Sequence, residues 1–166
     1  MSVLDVANRV ARTPELHAAS LKQFTELARQ HALTDSVTGA QVANLGTVPG
    51  QKDFNLWVAL VAVPLPPHSF DGDVALITLG GTGTGWFRAD DPKYSWFHVG
   101  REPLLVQAGR VQFVIPSSSS EPLRLAILRP RGSQAPKLVA DDRAMHLYTR
   151  VARQKGFKHT DLKQPV

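Results

Sequence analysis

Between Val42 and Arg129 short apolar runs alternate with turn residues, a pattern that predicts about eight strands. Helical periodicity brackets that stretch on both sides. Val3, Val6, Ala7 and Val10 recur at helical spacing with Ser2 placed to cap them. A second helix is predicted from Thr13-Pro14 onward, where proline suits the first helical position because its missing N–H has no partner there. Leu16, Phe24 and Leu27 lie on its apolar stripe, opposite Lys22, Glu26 and Arg29.

A short strand is expected near Gln41–Leu45. Phe54–Val63 is apolar on both faces and reads as a central strand covered twice. Pro64, Pro66 and Pro67 follow, and are expected to end it because proline cannot donate to a ladder. Further strands are predicted over Asp73–Leu79, Trp86–Arg88, Tyr94–Val99, Leu104–Gln107, Val111–Ile115 and Leu123–Leu128. In Val111–Ile115 the polar Gln112 between apolar residues suggests a half-buried strand. After a Pro/Gly/Ser linker, Asp141 can cap a helix carrying Met145, Tyr148, Val151 and Ala152 on one face, with Gly156 as its terminator.

These elements predict a mainly β fold. It is an antiparallel sandwich or jelly-roll-like barrel of about eight strands, with N-terminal helices and a C-terminal helix. The expected division is an N-terminal helical arm (1–33), a β-sandwich core (34–130), and a linker with a basic C-terminal helix and tail (131–166), all in one globular unit.

Composition narrows the chemistry more than the fold. At 166 residues the chain can bury a real core. It has no cysteine, so thiolate nucleophiles, disulfides and cysteine-ligated zinc are excluded. The start of the chain lacks the apolar run of a secretory signal. The longest apolar stretch, Leu56–Leu65, is far shorter than the roughly 18 residues that span a bilayer. A soluble protein with no membrane partner is expected, inside a cell or in a virion. The net charge of +5 is unevenly placed, with nine Lys/Arg against three acids from Arg129 onward. Arg143, Arg150, Arg153, Lys155, Lys158 and Lys163 fall on the last helix and its tail, a placement that suits nucleic acid or another polyanion.

Candidate chemistry is sparse. Gly80–Gly85 resembles a phosphate loop only in its glycines. No Lys-Ser/Thr pair follows, and strand rather than helix comes next. His68, Asp71 and Asp73 are the nearest approach to a metal set, but the six histidines are dispersed and no His-x-His occurs. The pairs Asp71/Asp73 and Asp90/Asp91 lie in turns where acids serve the backbone. No catalytic residue, metal or cofactor is therefore assigned.

The leading expectation is a non-enzymatic, self-assembling coat- or capsid-like subunit. Leu16, Phe24 and Leu27 would contact neighbouring copies and the C-terminal cations would face nucleic acid. One alternative is a carbohydrate- or ligand-binding β-sandwich using Trp86, Trp96, His98 and Arg101, where flat aromatics beside polar groups offer a stacking platform. A second is a cupin-like small-barrel enzyme with an atypical metal site.

Overall fold

The computed structural model describes residues 2–12, 26, 32–34, 40–48, 50–100 and 102–162, with the backbone alone for 32–34. Helix α1 (Val3–Ala11) opens the chain. Ser2 accepts from the Asp5 amide while Asp5 reaches back to the Ser2 N–H, a reciprocal cap that satisfies two otherwise orphaned donors. The second predicted helix, with Leu16, Phe24 and Leu27, lies outside the described residues.

Eleven strands follow among the described residues: β1 (Ala32–Thr34), β2 (Gln41–Val48), β3 (Gln51–Val61), β4 (Leu65–Ser69), β5 (Val74–Gly80), β6 (Gly83–Phe87), β7 (Trp96–Val99), β8 (Leu104–Val106), β9 (Gln112–Pro116), β10 (Leu123–Pro130) and β11 (Lys137–Leu138). They form a six-stranded sheet, β1-β2-β3-β10-β5-β8, and a five-stranded sheet, β11-β4-β9-β6-β7. Every pairing is antiparallel. The chain passes from one sheet to the other at β3–β4, β4–β5, β5–β6, β7–β8, β8–β9, β9–β10 and β10–β11, so the two sheets face each other as a jelly-roll sandwich.

Strand β3 is central, between β2 and β10, and apolar on both faces as expected. Its Ala59 and Val61 join Leu125, Leu123, Leu76, Leu65 and Val114 in the core between the sheets. Its Val58 points outward with Ala75, Ile77, Ala126 and Leu128, and α1 covers that face with Val3, Val6, Ala7 and Val10. The prolines that end β3 do not end the sheet. Strand β4 carries Pro66 and Pro67, and pairs with β9 at Leu65 and His68 with a bulge between them. The two prolines occupy that bulge, where no ladder N–H is required.

The C-terminal helix, α2 (Asp142–Gln154), closes the outer face of the five-stranded sheet. Ala144, Tyr148 and Ala152 are buried there against Trp86, Phe113 and Ile115. Gly156, at φ +89°, terminates the helix in the left-handed conformation that glycine adopts without strain. At the other end Asp141 accepts from the Ala144 amide at 2.9 Å and is ion-paired with Arg88. The Ala144 hydrogen bond is the main force holding the Asp141 carboxyl below the usual carboxylate range; partial burial opposes it and the Arg88 guanidinium adds to it. The cap therefore contributes fully above the ordinary aspartate pKa, about 3.9, and is lost as pH falls through its lower folded-state value. Replacing Asp141 with alanine should cost about 0.5–2 kcal/mol at pH 7 and much less near pH 2. Urea unfolding at the two pH values checks this, and an equal loss at both would sink the assignment.

Candidate ligand-binding site

Strand alternation sorts the side chains of the sandwich interior. On the six-stranded sheet Trp57, Ile127 and Leu76 point inward at one level, each on the same face as its core neighbours Ala59, Leu125 and Val74. On the five-stranded sheet Val114 is an inward residue, so Gln112, two positions away, faces the same way. Gln112 is the cross-strand partner of His68 on one side and Phe87 on the other. A row of imidazole, carboxamide and phenyl thus crosses the inner face of this sheet.

Gln112 is 1% exposed, and neither its amide oxygen nor its amide nitrogen has a hydrogen-bond partner among the described residues. Thr78, also inward-facing and buried, has an unpartnered hydroxyl. A buried polar group left unpaired costs about 1–3 kcal/mol, so these atoms mark a place where packing alone does not explain the residue. His68 is buried beside Gln112 in the row, with its Nδ1 2.7 Å from the Pro66 carbonyl. A carbonyl only accepts, so Nδ1 carries a proton in this contact.

Aromatic rings flank the row. Phe87 and Phe97 stack at 5.6 Å, and Gly85 leaves room for Phe97, whose ring occupies the space a Cβ at Gly85 would need. Trp57 and Phe97 face the interior yet are only half-buried. Arg129 sits at the end of this layer, its guanidinium 4.5 Å from the Trp57 ring centroid and 5.3 Å from that of Phe70. It also donates to the Ser133 hydroxyl and the Gln134 carbonyl. Arg110 lies 4.9 Å over Phe87 on the same rim. Hydrophobic walls with a few convergent polar atoms are the general make-up of a small-molecule site.

The aromatic platform expected on β6 and β7 lies on the opposite face. Trp86 pairs with Trp96, and Thr84 with His98, on the outer side of the five-stranded sheet. Trp86 is buried under α2, stacked on Phe113 at 5.5 Å; Trp96 meets the edge of Phe113 and is 41% exposed. His98 is exposed, and Arg101 lies outside the described residues. The structure brings the first three together, with the Trp86 ring taken up by packing. Arg143, Arg150, Arg153 and Lys158 are exposed, Lys155 is half-buried, and Lys163 lies outside the described residues. Among the described residues none of the first five forms an ion pair. Asp71 and Asp73 pin loops, accepting from the Gln134 and Ala108 amides at 3.0 and 2.8 Å, while Asp91 caps a 3₁₀ turn. No three metal-ligating side chains converge among the described residues.

No protein-family model matches the chain, and no curated protein matches it. Solved structures do. Protein SO0799 from Shewanella oneidensis superposes with a TM-score of 0.59 at 10% identity, over 89% of this chain and 99% of that one. The Bacillus subtilis oxalate decarboxylase, a protein with Mn(II) centres, gives 0.52 at 13% identity, over 68% of this chain and 31% of that one. The polyketide cyclase RemF from Streptomyces resistomycificus gives 0.50 at 20% identity, over 72% and 86%. The chain spans 53% of DMSP lyase DddQ from Ruegeria pomeroyi, about half its length. These likenesses show the fold: a mainly β, antiparallel sandwich of the cupin or jelly-roll type with helices at both ends.

The expectation of a coat- or capsid-type subunit, in a virion or elsewhere, is overturned here. The fold is shared with a cyclase and a decarboxylase, which favours the alternatives weighed beside it. Packing supplies the physical reason. Helices α1 and α2 bury their apolar faces on the chain's own two sheets, while the expected assembly contacts Leu16, Phe24 and Leu27 lie outside the described residues. The metal centre of the decarboxylase does not carry over by donor chemistry. Inward positions of the described strands offer one imidazole, His68, and one carboxylate, Asp53, which is exposed at the start of β3; no three such ligands converge among the described residues, too few for Mn(II).

Proposed function

We propose that this chain is a small-molecule-binding β-sandwich whose ligand sits between the sheets, against Gln112, His68 and Trp57. The observation that carries this reading is the Gln112 carboxamide, buried on the inner face with both polar atoms unpartnered among the described residues. Half-buried aromatic residues around it, Trp57, Phe87 and Phe97, supply the apolar contact that a flat ligand needs. A cyclase and a decarboxylase share the fold, which agrees with a ligand-holding interior and adds no residue to the argument.

The test is tryptophan fluorescence of the full chain titrated with a set of small planar aromatic compounds, in parallel with Trp57→Phe. Saturable quenching is expected in the native chain and should be mostly absent in Trp57→Phe, whose phenyl ring keeps the wall apolar. Absence of saturable quenching across the set would remove the reading. Equal quenching in both proteins would move the ligand to Trp86 or Trp96 on the outer face.

A further inference from the structure

The polar atoms of the interior also restrict which ligand fits. Resting on the site proposed above, we infer that it takes a neutral, planar ring with a hydrogen-bond donor and acceptor on adjacent atoms, the edge of a lactam. Gln112 presents one acceptor oxygen and a two-proton donor nitrogen, held in one plane, and both are orphaned. A cis-amide edge places its N–H on the oxygen and its C=O on the nitrogen, satisfying both atoms at once. Glutamine reads adenine in the same bidentate way in protein–DNA contacts, where adjacent donor and acceptor atoms meet a carboxamide.

Charge argues for the same class. Among the described residues, the one acid at an inward position on β3 to β10 is Asp53, which is exposed at the start of β3, so a cation held beside Gln112 would lack a buried counter-ion. An anion fares differently at the two amide atoms. A carboxylate accepts from the nitrogen but turns a lone pair toward the oxygen, leaving half of the carboxamide unpaired and opposed. Among the described residues the one inward Lys or Arg, Arg129, has its guanidinium committed to two aromatic faces, the Ser133 hydroxyl and the Gln134 carbonyl. A neutral ring loses least on leaving water, and its faces match Trp57 and the stacked Phe87–Phe97 pair.

Three probes of similar outline separate these cases: 2-quinolone, which has the lactam edge; naphthalene, which has no polar edge; and 2-naphthoate, an anion. Binding to the full chain is measured by calorimetry, with the Gln112 side-chain amide protons followed by NMR. The expected result is that 2-quinolone binds at least ten-fold more tightly than either other probe and shifts the Gln112 amide protons. In Gln112→Leu, which keeps a side chain of similar size, the preference for 2-quinolone over naphthalene should fall within three-fold while naphthalene still binds. Equal affinities in the native chain, or a preference that survives in Gln112→Leu, overturns the inference and leaves the interior site standing. If all three probes fail while other aromatic compounds quench Trp57, the inference alone falls. If nothing binds, the interior site falls with it.

Discussion

Replacing Tyr148 with alanine is expected to destabilise the protein by about 3–5 kcal/mol, the range for removing a large buried aromatic side chain. Tyr148 is fully enclosed between α2 and the five-stranded sheet, with its ring edge-on to Phe113 at 5.7 Å and its hydroxyl 3.4 Å from the Pro64 carbonyl. Its neighbours Trp86 and Phe113 are fixed on strands by ladder hydrogen bonds, so they cannot collapse into the space left behind. A domain of this kind is stable by about 5–15 kcal/mol in total, so the loss is a large part of the whole. At about 2–4 °C per kcal/mol, the melting temperature should fall by roughly 6–20 °C. Tyr148→Phe keeps the ring and loses a long hydrogen bond, and should cost only about 0.5–1.5 kcal/mol. Thermal and urea unfolding of the two variants decide the matter. If Tyr148→Ala unfolded within a degree of the native chain, α2 would not be part of this chain's own fold.

That docking face was legible in the sequence, because Tyr148 and Ala152 recur at helical spacing beside an Asp141 cap and a Gly156 terminator. What it docks on was not. Trp86 and Trp96 read as a possible platform because the helix that encloses Trp86 begins more than fifty residues later, and strand periodicity carries no information about such a partner. Strand β3 was plain for the opposite reason: residues apolar on both faces require two covers wherever those come from. Strand β4 was hidden by chemistry. Leu65-Pro66-Pro67-His68 reads as a broken segment, since proline opposes a ladder, and only the observed register puts both prolines into a bulge and His68 opposite Gln112.

Gln112 shows where local reading fails most sharply. Between Val111 and Phe113 it resembles the water-facing half of an alternating strand, yet both faces of β9 are covered, one by α2 and the other by the six-stranded sheet. One signal pointed the right way: a C-terminal helix with a wide apolar face needs a sheet face to lie on, which turns a one-sided strand into a two-sided one. His68 gave still less warning, because a histidine after two prolines carries no periodicity.

Replacing Gln112 with leucine should therefore stabilise the unliganded protein while abolishing its choice of ligand. The native carboxamide is buried with no partner among the described residues for either polar atom, a penalty of about 1–3 kcal/mol. Leucine has similar volume and no polar atom, and its cross-strand neighbour Phe87 and same-face neighbour Val114 are already apolar. The expected gain of about 1–3 kcal/mol raises the melting temperature by roughly 2–12 °C. Gln112→Ala separates polarity from packing: it removes the same unpaired atoms but opens a cavity, so it should fall below the leucine variant by about 2–5 kcal/mol. A destabilised Gln112→Leu would mean that the amide has partners within the fold and that no ligand is needed to explain it. A stabilised Gln112→Leu that no longer distinguishes 2-quinolone from naphthalene identifies a residue retained against the fold's own interest. Stability given up at one buried position is the thermodynamic mark of a binding site.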